Sequence, residues 1–250
     1  MSVPIRIGVA GALGRMGRAV ASLIAEREGV AIAGRFGRPG AADGDLAACD
    51  VIVDFSTAGA SAALARRAAA NGGPALVIGS TGFSPGDEEA LRAAATSIAI
   101  VKSGNFSIGV TILAGLVEQA ARKLDLKDWD IEISEAHHRL KRDAPSGTAL
   151  LLARAAADGR GETLDDIAAR GRDGATGPRR QGDIGFSVMR GGGIVGEHAV
   201  VFAAEEEVLT LSHSARDRRL FARGAVEAAV WAAGRESGLY DMRDVLGMRD

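Results

Sequence analysis

The sequence has little of two features that mark particular classes of protein, cysteine and net charge. Cys49 is the only cysteine among 250 residues, so an internal disulfide and a Cys-x-x-Cys metal site are both excluded. The formal net charge is -2, which gives no general attraction for nucleic acid or for anionic membrane surfaces. We therefore expect neither a nucleic-acid partner nor a membrane partner.

Long apolar runs are also missing. No run approaches the roughly 18 apolar residues that a membrane-spanning helix needs, and the first residues lead into a strand-like run without the pattern of a signal peptide. We therefore expect a cytoplasmic protein. Its length allows one large domain or two modest ones, and Cys49, just before a predicted strand, is expected to be a buried structural thiol.

In the first part of the chain, short β-like runs alternate with alanine-rich helical stretches. The predicted strands are 5–10, 30–36, 51–55, 75–79 and 98–102, and the predicted helices include 15–27, 60–71 and 85–96. Helices of this length between strands indicate parallel βαβ crossovers, so the pattern predicts an α/β fold with a Rossmann-type, doubly wound parallel sheet. In such a sheet the ligand lies beyond the carboxyl ends of the strands.

A glycine pattern follows the first predicted strand. Gly8, Gly11, Gly14 and Gly17 recur every three residues and contain the dinucleotide-binding variant Gly-x-x-Gly-x-x-Gly. In this motif the first glycine makes a tight turn, the second lets a pyrophosphate approach the backbone, and the third lets the helix pack closely on the strand. A glycine triplet after a strand can also be a plain structural turn, and the motif alone leaves that alternative open.

The second part of the chain has a different periodicity. After a predicted helix at 108–123, apolar and polar residues alternate at 129–135, 184–190, 199–204 and 207–213. This alternation predicts strands covered on one face only, in a smaller α+β domain with an open, mostly antiparallel sheet. A long polar passage at 158–182, with a short helical piece at 164–169, is expected to be functional or mobile.

The final helical stretch, 216–237, has an apolar stripe that is expected to pack on the first domain. We therefore predict a dinucleotide-binding domain made of 1–106 plus 217–250, and a substrate-binding and oligomerisation domain at 107–216.

The segment 135–149 concentrates the chemistry of the chain, and reads Glu-Ala-His-His-Arg-Leu-Lys-Arg-Asp-Ala-Pro-Ser-Gly-Thr-Ala. Histidine titrates nearest neutral pH, lysine and arginine attract carboxylates, and the first N–H groups of a helix bind anions. The segment is therefore suited to holding and protonating a small anionic substrate. In an extended backbone His137 and His138 point to opposite faces, so the two have different roles. Ser146 is the predicted N-cap of the following helix.

Plainer interpretations of this segment remain open. The histidine pair could bind a metal, but no third ligand lies at a suitable spacing and His198 and His213 are isolated in the sequence, so we predict no metal site. Arg139 and Arg142 could be solvated surface charges. Asp143 could pair with a neighbouring cation or cap the turn as readily as take part in catalysis.

Taken together, these segments resemble the dihydrodipicolinate reductase family, also called 4-hydroxy-tetrahydrodipicolinate reductase, of bacterial lysine and diaminopimelate biosynthesis. The resemblance rests on the glycine motif and on the segments 79–82, 105–110, 135–149, 196–198 and 237–245, in that order along nearly the whole chain.

The resemblance implies an oxidoreductase that uses NADPH or NADH to reduce a small cyclic dicarboxylate, 4-hydroxy-tetrahydrodipicolinate, to tetrahydrodipicolinate. It implies that His137 is the proton donor and acceptor, that Lys141 is a second proton donor, and that His138, Gly147 and Thr148 contact the substrate carboxylates. It also implies a homotetramer assembled through the sheets of the second domains. The residues that it implies for the dinucleotide are Gly11, Ala12, Leu13, Gly14, Arg15, Met16, Gly79, Ser80, Thr81, Ser103, Gly104, Asn105 and Phe106.

The chain departs from the family pattern at the end of the second strand. Members that use NADH well carry an acidic residue there, commonly followed by arginine, whereas here Gly37 and Arg38 take the two positions. Without the carboxylate, the loop loses a ribose acceptor and the repulsion that would exclude a 2′-phosphate. Arg35 and Arg38 could pair with that phosphate. We therefore expect Arg38 to bind cofactor and NADPH to be preferred over NADH.

Two other functions remain as alternatives. One is a different two-domain NAD(P)-dependent reductase, and the other is a redox sensor that binds a dinucleotide without turnover. The sensor would need neither His137 nor Lys141, and their presence argues against it.

Overall fold

The computed structural model describes residues 3–37, 45–70 and 72–249. The chain divides into two compact units, the first made of Met1–Ile108 and Arg219–Asp250 and the second of Gly109–Arg218. Within the described residues, no helix has the length and apolar character needed to cross a membrane.

Strands and helices alternate over much of the chain. In chain order they are β1 (Ile5–Ala10), α1 (Arg15–Glu26), β2 (Val30–Phe36), a 3₁₀ turn (Leu46–Ala48), β3 (Val51–Asp54), α2 (Ala58–Ala69), β4 (Ala75–Ile78), α3 (Pro85–Ala94), β5 (Ala99–Lys102), α4 (Ile108–Lys123), β6 (Asp130–His137), α5 (Gly147–Arg160), α6 (Leu164–Ile167), β7 (Ala168–Ala169), β8 (Ile184–Arg190), β9 (Gly196–Ala203), β10 (Val208–Ala215), α7 (Arg219–Ala232), β11 (Gly238–Tyr240) and α8 (Met242–Val245).

The first unit is built on a parallel sheet with the strand order β11-β5-β4-β3-β1-β2. The central strands β3 and β4 are almost wholly apolar because both of their faces are buried. Val51 and Val53 point to a core shared with α1 and α7, whereas Ile52, between them, points to a second core shared with α2 and α3. The Rossmann-type doubly wound sheet predicted from the sequence is confirmed. Cys49 is buried as expected, and burial raises the pKa of its thiol.

The glycine motif forms the turn between β1 and α1. Gly11 has φ +70, a left-handed conformation that favours glycine. A Cβ on Gly17 would lie 2.3 Å from the carbonyl oxygen of Gly11 and 2.7 Å from Cα of Ala12, so α1 lies directly against this turn. The first glycine of the motif thus makes the tight turn, and the third lets the helix pack closely, as the motif predicts.

The second unit has a five-stranded sheet with the order β10-β9-β6-β8-β7. Helices α4 and α5 bury one face, on which Ile131, Ile133 and Phe202 are fully or almost fully excluded from solvent. The sheet is mixed: most of its paired residues are antiparallel, as expected, but β8 and β7 join it by parallel pairing. Strand β6 pairs antiparallel with β9 but parallel with β8, because the chain crosses over through α5 before it returns as β8.

The polar passage after α5 is fastened to this sheet through Arg179. The guanidinium donates to Asp130 Oδ1 at 2.5 Å, to Glu132 Oε1 at 2.9 Å and to the carbonyl oxygen of Ile131 at 3.1 Å. Residues 168–169, which were predicted to continue a helical piece, instead pair with β8 as strand β7. Sheet pairing here outweighs local helix propensity.

The last long helix is shorter than predicted. It runs from Arg219 to Ala232 rather than over 216–237, and Gly234 follows it with φ +81. A left-handed glycine just beyond the last turn is a common helix terminator. The helix packs on the parallel sheet of the first unit, as its apolar stripe predicts.

We predict that Gly17→Ala destabilises the protein by about 1–3 kcal/mol, because the added methyl group meets backbone atoms that cannot move aside. Gly59→Ala in α2 is the matched control, since a Cβ there has no neighbour within 4 Å, and it should change stability by less than about 1 kcal/mol. Urea unfolding midpoints measure both effects. Equal midpoints for the two variants would show that α1 does not lie tightly on the turn.

Candidate active site

The residues predicted to bind the dinucleotide lie in three loops of the first unit, after β1, β4 and β5. These strands are parallel, with β1 and β4 on either side of β3 and β5 beside β4, so their carboxyl ends lie along one edge of the sheet. Leu13 at the tip of the first loop is 74% exposed, whereas Phe106 in the third loop is buried and packs edge-on against Phe55, with ring centroids 5.8 Å apart. The structure thus brings the three loops to one edge, and their role stays a prediction. Arg38 lies outside the described residues.

Several features of this edge fit a dinucleotide. Gly14 is the N-cap of helix α1 and provides no side-chain cap, and the first turn holds no acidic residue. The N–H groups of this turn, the positive end of the helix dipole and the charge of Arg15 therefore all favour an anion there. A Cβ on Gly79 would lie 2.1 Å from the ring of Phe55, which keeps the second loop close to β3. Asp54 Oδ2 and Ser56 Oγ, at the end of β3, are buried with no hydrogen-bond partner, as is expected where a polar ligand or solvent completes a site.

In the second unit, the histidine-rich segment is organised around a buried carboxylate. Glu135 and His137 lie two residues apart on β6, so their side chains share the face that α5 covers. His137 Nδ1 is 2.6 Å from Glu135 Oε2, and Arg190 donates to both oxygens of Glu135 at 2.7 and 2.8 Å. The backbone N–H of Ser146 donates to Glu135 Oε1 at 3.0 Å. Glu135 is 3% exposed and His137 is 8% exposed.

The hydrogen bonds keep this buried carboxylate ionised. Burial alone would raise the pKa of Glu135, but the hydrogen bonds from Arg190, His137 and Ser146 outweigh it and hold the pKa below its ordinary value. A carboxylate with these donors is a fixed negative charge beside the imidazole.

Ser146 caps helix α5, as predicted, and also contacts a second histidine. Its Oγ accepts from the N–H of Ala149 at 3.1 Å and lies 2.9 Å from Nε2 of His198 on β9. The His198 ring packs edge-on against His137, with centroids 5.1 Å apart. Burial, reinforced by the neighbouring His137, lowers the pKa of His198 to about 4, so His198 is neutral at physiological pH.

The remaining predicted residues lie on the loop between β6 and α5. His138 Nε2 is 2.6 Å from Nη2 of Arg218, and desolvation together with the Arg218 charge lowers the pKa of His138. Lys141 Nζ pairs with Asp143 at 2.9 Å and is mostly shielded from solvent. Asp143 therefore takes the pairing role that the sequence left open. Gly147 and Thr148 are the first two residues of α5, where N–H groups favour an anion.

Sequence reasoning missed four of these residues. His198 is isolated in the sequence but not in the fold, because β9 lies beside β6 and places His198 opposite Glu135. Glu135, Arg190 and Arg218 had no assigned role. Period-2 alternation along β6 was a usable signal, since it puts Glu135 and His137 on one face. In the described part of the chain, no group of three or more His, Cys, Asp or Glu side chains could hold a metal ion.

A parallel sheet with a glycine turn at its carboxyl edge, together with a second unit that presents a buried imidazole and a helix start, defines a two-domain, dinucleotide-dependent oxidoreductase. Comparisons with known proteins identify the family. The model described as dihydrodipicolinate reductase, N-terminus, matches residues 5–106, and the model described as dihydrodipicolinate reductase, C-terminus, matches residues 109–246.

The relatives agree with the family models. The 4-hydroxy-tetrahydrodipicolinate reductase of Caulobacter vibrioides is 60% identical over the full length of both chains. The corresponding protein of Parvibaculum lavamentivorans is 50% identical over 99% of this chain and 100% of its own. The dipicolinate-bound dihydrodipicolinate reductase from Paenisporosarcina sp. TG-14 has the same fold, with a TM-score of 0.76 at 21% identity over 95% of this chain and 97% of its own.

The chain therefore belongs to the dihydrodipicolinate reductase family and is an oxidoreductase with a dinucleotide-binding domain. The family resemblance stated from the sequence is confirmed.

Proposed function

We propose that this protein reduces 4-hydroxy-tetrahydrodipicolinate to tetrahydrodipicolinate in lysine and diaminopimelate biosynthesis. The observation that carries the proposal is that one buried side chain, Glu135, is hydrogen-bonded both to His137 and to the start of α5. A cyclic dicarboxylate needs both of the functions grouped there, a proton source and an anion cradle.

The chain's own residues divide the work between protonation and binding. Loss of the 4-hydroxyl group of the substrate as water leaves a conjugated imine, and the dinucleotide, when bound, would supply hydride to that imine. His137 holds the proton that neutralises the negative charge developing on the substrate, and Lys141 provides a second proton and a positive charge. His138 and the N–H groups of Gly147 and Thr148 bind the carboxylates and fix the orientation of the ring.

NADPH is the cofactor that we propose for this chain, with NADH as a poorer alternative and no metal. Gly37 at the end of β2 carries no carboxylate to bind the ribose hydroxyls, and the Arg35 side chain near it is exposed. A guanidinium at this edge of the sheet can pair with the 2′-phosphate that distinguishes NADPH.

For assembly, we propose a homotetramer formed through the sheet face of the second unit that α4 and α5 do not cover. This face carries Ala136, Ala199 and Val201, which are half-buried, and Met189 and Val208, each 62% exposed. Packing of this face against another chain would remove these apolar side chains from solvent.

We predict that His137→Gln and Lys141→Ala each lower kcat by about 10²–10⁴, because each removes a positioned acid. The assay follows NADPH absorbance after addition of the condensation product of pyruvate and aspartate semialdehyde. Lys123→Ala, an exposed lysine at the end of α4, is the matched control and should keep the parental kcat. Dinucleotide affinity, measured by calorimetry, should stay the same in all three variants.

Two results would count against the proposal. An unaltered protein that fails to oxidise NADPH with this substrate does not have the proposed activity. Near-parental kcat in both the His137 and Lys141 variants would remove these two residues from the reaction.

Cofactor choice gives a separate prediction. We expect kcat/KM to favour NADPH over NADH roughly tenfold or more, since an arginine–phosphate contact is worth about 1.5–3 kcal/mol. Gly37→Glu should narrow or reverse this preference by restoring a ribose acceptor and repelling the 2′-phosphate. Gly37→Gln, which adds similar bulk without charge, should retain most of it. Equal use of both cofactors by the parent protein would show that this loop does not select the cofactor.

A further inference from the structure

We infer that Glu135 is a positioning residue that fixes both the proton-bearing atom of His137 and the start of helix α5. The inference rests on the proposed function and deepens it, because it assigns the orientation of the proton donor to a residue outside the substrate-binding set. One carboxylate oxygen of Glu135 is hydrogen-bonded to His137, and the other accepts the backbone N–H of Ser146.

The proton on His137 has one position that fits the contact with Glu135. An ionised carboxylate can only accept hydrogen bonds, so the short contact between Glu135 Oε2 and His137 Nδ1 requires the proton to lie on Nδ1. In the neutral imidazole, Nε2 is then the acceptor and the position at which a proton is gained or lost. The contact therefore selects one of the two tautomers.

Nε2 of His137 lies beside the neighbouring strand β9. This atom lies over Gly196 on β9, where an added Cβ would be only 3.0 Å away. The groups that face the His137 ring are Glu135 from its own strand, supported by Arg190 from β8, and His198 from β9. Because His198 is neutral, Glu135 and Arg190 are the charged groups in this set, and Glu135 alone touches the imidazole.

Glu135 also holds the start of helix α5. Glu135 Oε1 accepts the N–H of Ser146, the residue directly before Gly147 and Thr148. Arg190 holds the same carboxylate with two nitrogens and also donates to the carbonyl oxygen of Asp143 at 2.7 Å, on the loop between β6 and α5. One clamped carboxylate thus sets the distance between the imidazole and the proposed anion cradle.

A purely structural role for Glu135 makes different predictions. A buried ion pair that only supports the fold would change stability when it is altered, without selecting a tautomer of His137. The test must therefore observe the imidazole itself as well as the rate.

The experiment uses the full-length protein with ¹⁵N-labelled histidine. At alkaline pH, where imidazoles are neutral, nitrogen shifts assigned with His137→Gln report which ring nitrogen of His137 carries hydrogen. We expect hydrogen on Nδ1, with a strongly deshielded proton that exchanges slowly with water. This measurement needs no variant of Glu135, so it holds even if such variants fold poorly.

Glu135→Gln and Glu132→Gln form the matched pair of variants. Both remove a carboxylate of β6 that pairs with arginine, but Glu132 pairs with Arg172 and Arg179 and does not contact His137. Glu135→Gln should lose the Nδ1–H preference and lower kcat by about 10²–10⁴, as in other carboxylate–histidine pairs. KM should change less than kcat, because the glutamine oxygen can still accept the Ser146 N–H. Glu132→Gln should match the parent in both respects, and Glu135→Asp should recover part of the rate.

Three outcomes would overturn the inference. These are hydrogen on Nε2 of the parental His137, a kcat within threefold of the parent in Glu135→Gln, and equal losses in Glu132→Gln. The two kinetic outcomes are read from an active parent enzyme that His137→Gln inactivates, whereas the tautomer is read directly from the nitrogen spectrum. A parent without reductase activity would instead refute the proposed function, so the two failures are distinguishable.

Discussion

The buried carboxylate of Glu135 is the interaction on which the rest of the site depends. Removing a carboxylate from water costs several kcal/mol unless its oxygens are fully hydrogen-bonded. Here a guanidinium, an imidazole and a backbone N–H satisfy them, and these donors come from β8, β6 and the start of α5. Keeping the charge satisfied therefore requires these three elements to lie close to one another. The same requirement places a proton donor beside a helix start.

Much of the fold could be predicted because its signals are local. The central strands β3 and β4 are buried on both faces, and Gly11 adopts the left-handed conformation that its motif requires. The direction in which β6 pairs with β8 could not be predicted, since alternation along one strand carries no information about the direction of its neighbour. Two predictions from the sequence were wrong. A left-handed glycine ends α7 earlier than predicted, and pairing with β8 makes residues 168–169 a strand instead of part of a helix.

The candidate site, like the fold, has one part that is local in the sequence and one part that only the fold assembles. His137, His138, Lys141 and the start of α5 lie within one segment, so their residue types alone indicate acid–base chemistry with an anionic substrate. Arg190 is 55 residues from Glu135, and His198 is 52 residues from Ser146, so only the folded sheet brings each pair together. Sequence reasoning therefore found the groups proposed to meet the substrate and missed those that hold them in place.

The most direct test is a crystal structure of the protein with pyridine-2,6-dicarboxylate, a planar dicarboxylate that cannot be reduced under assay conditions. We predict one carboxylate on the N–H groups of Gly147 and Thr148, with His137 still bonded to Glu135 through Nδ1 and its Nε2 directed at the ligand. A dicarboxylate bound away from α5, or a His137 ring turned so that Nδ1 leaves Glu135, would contradict the role assigned to Glu135.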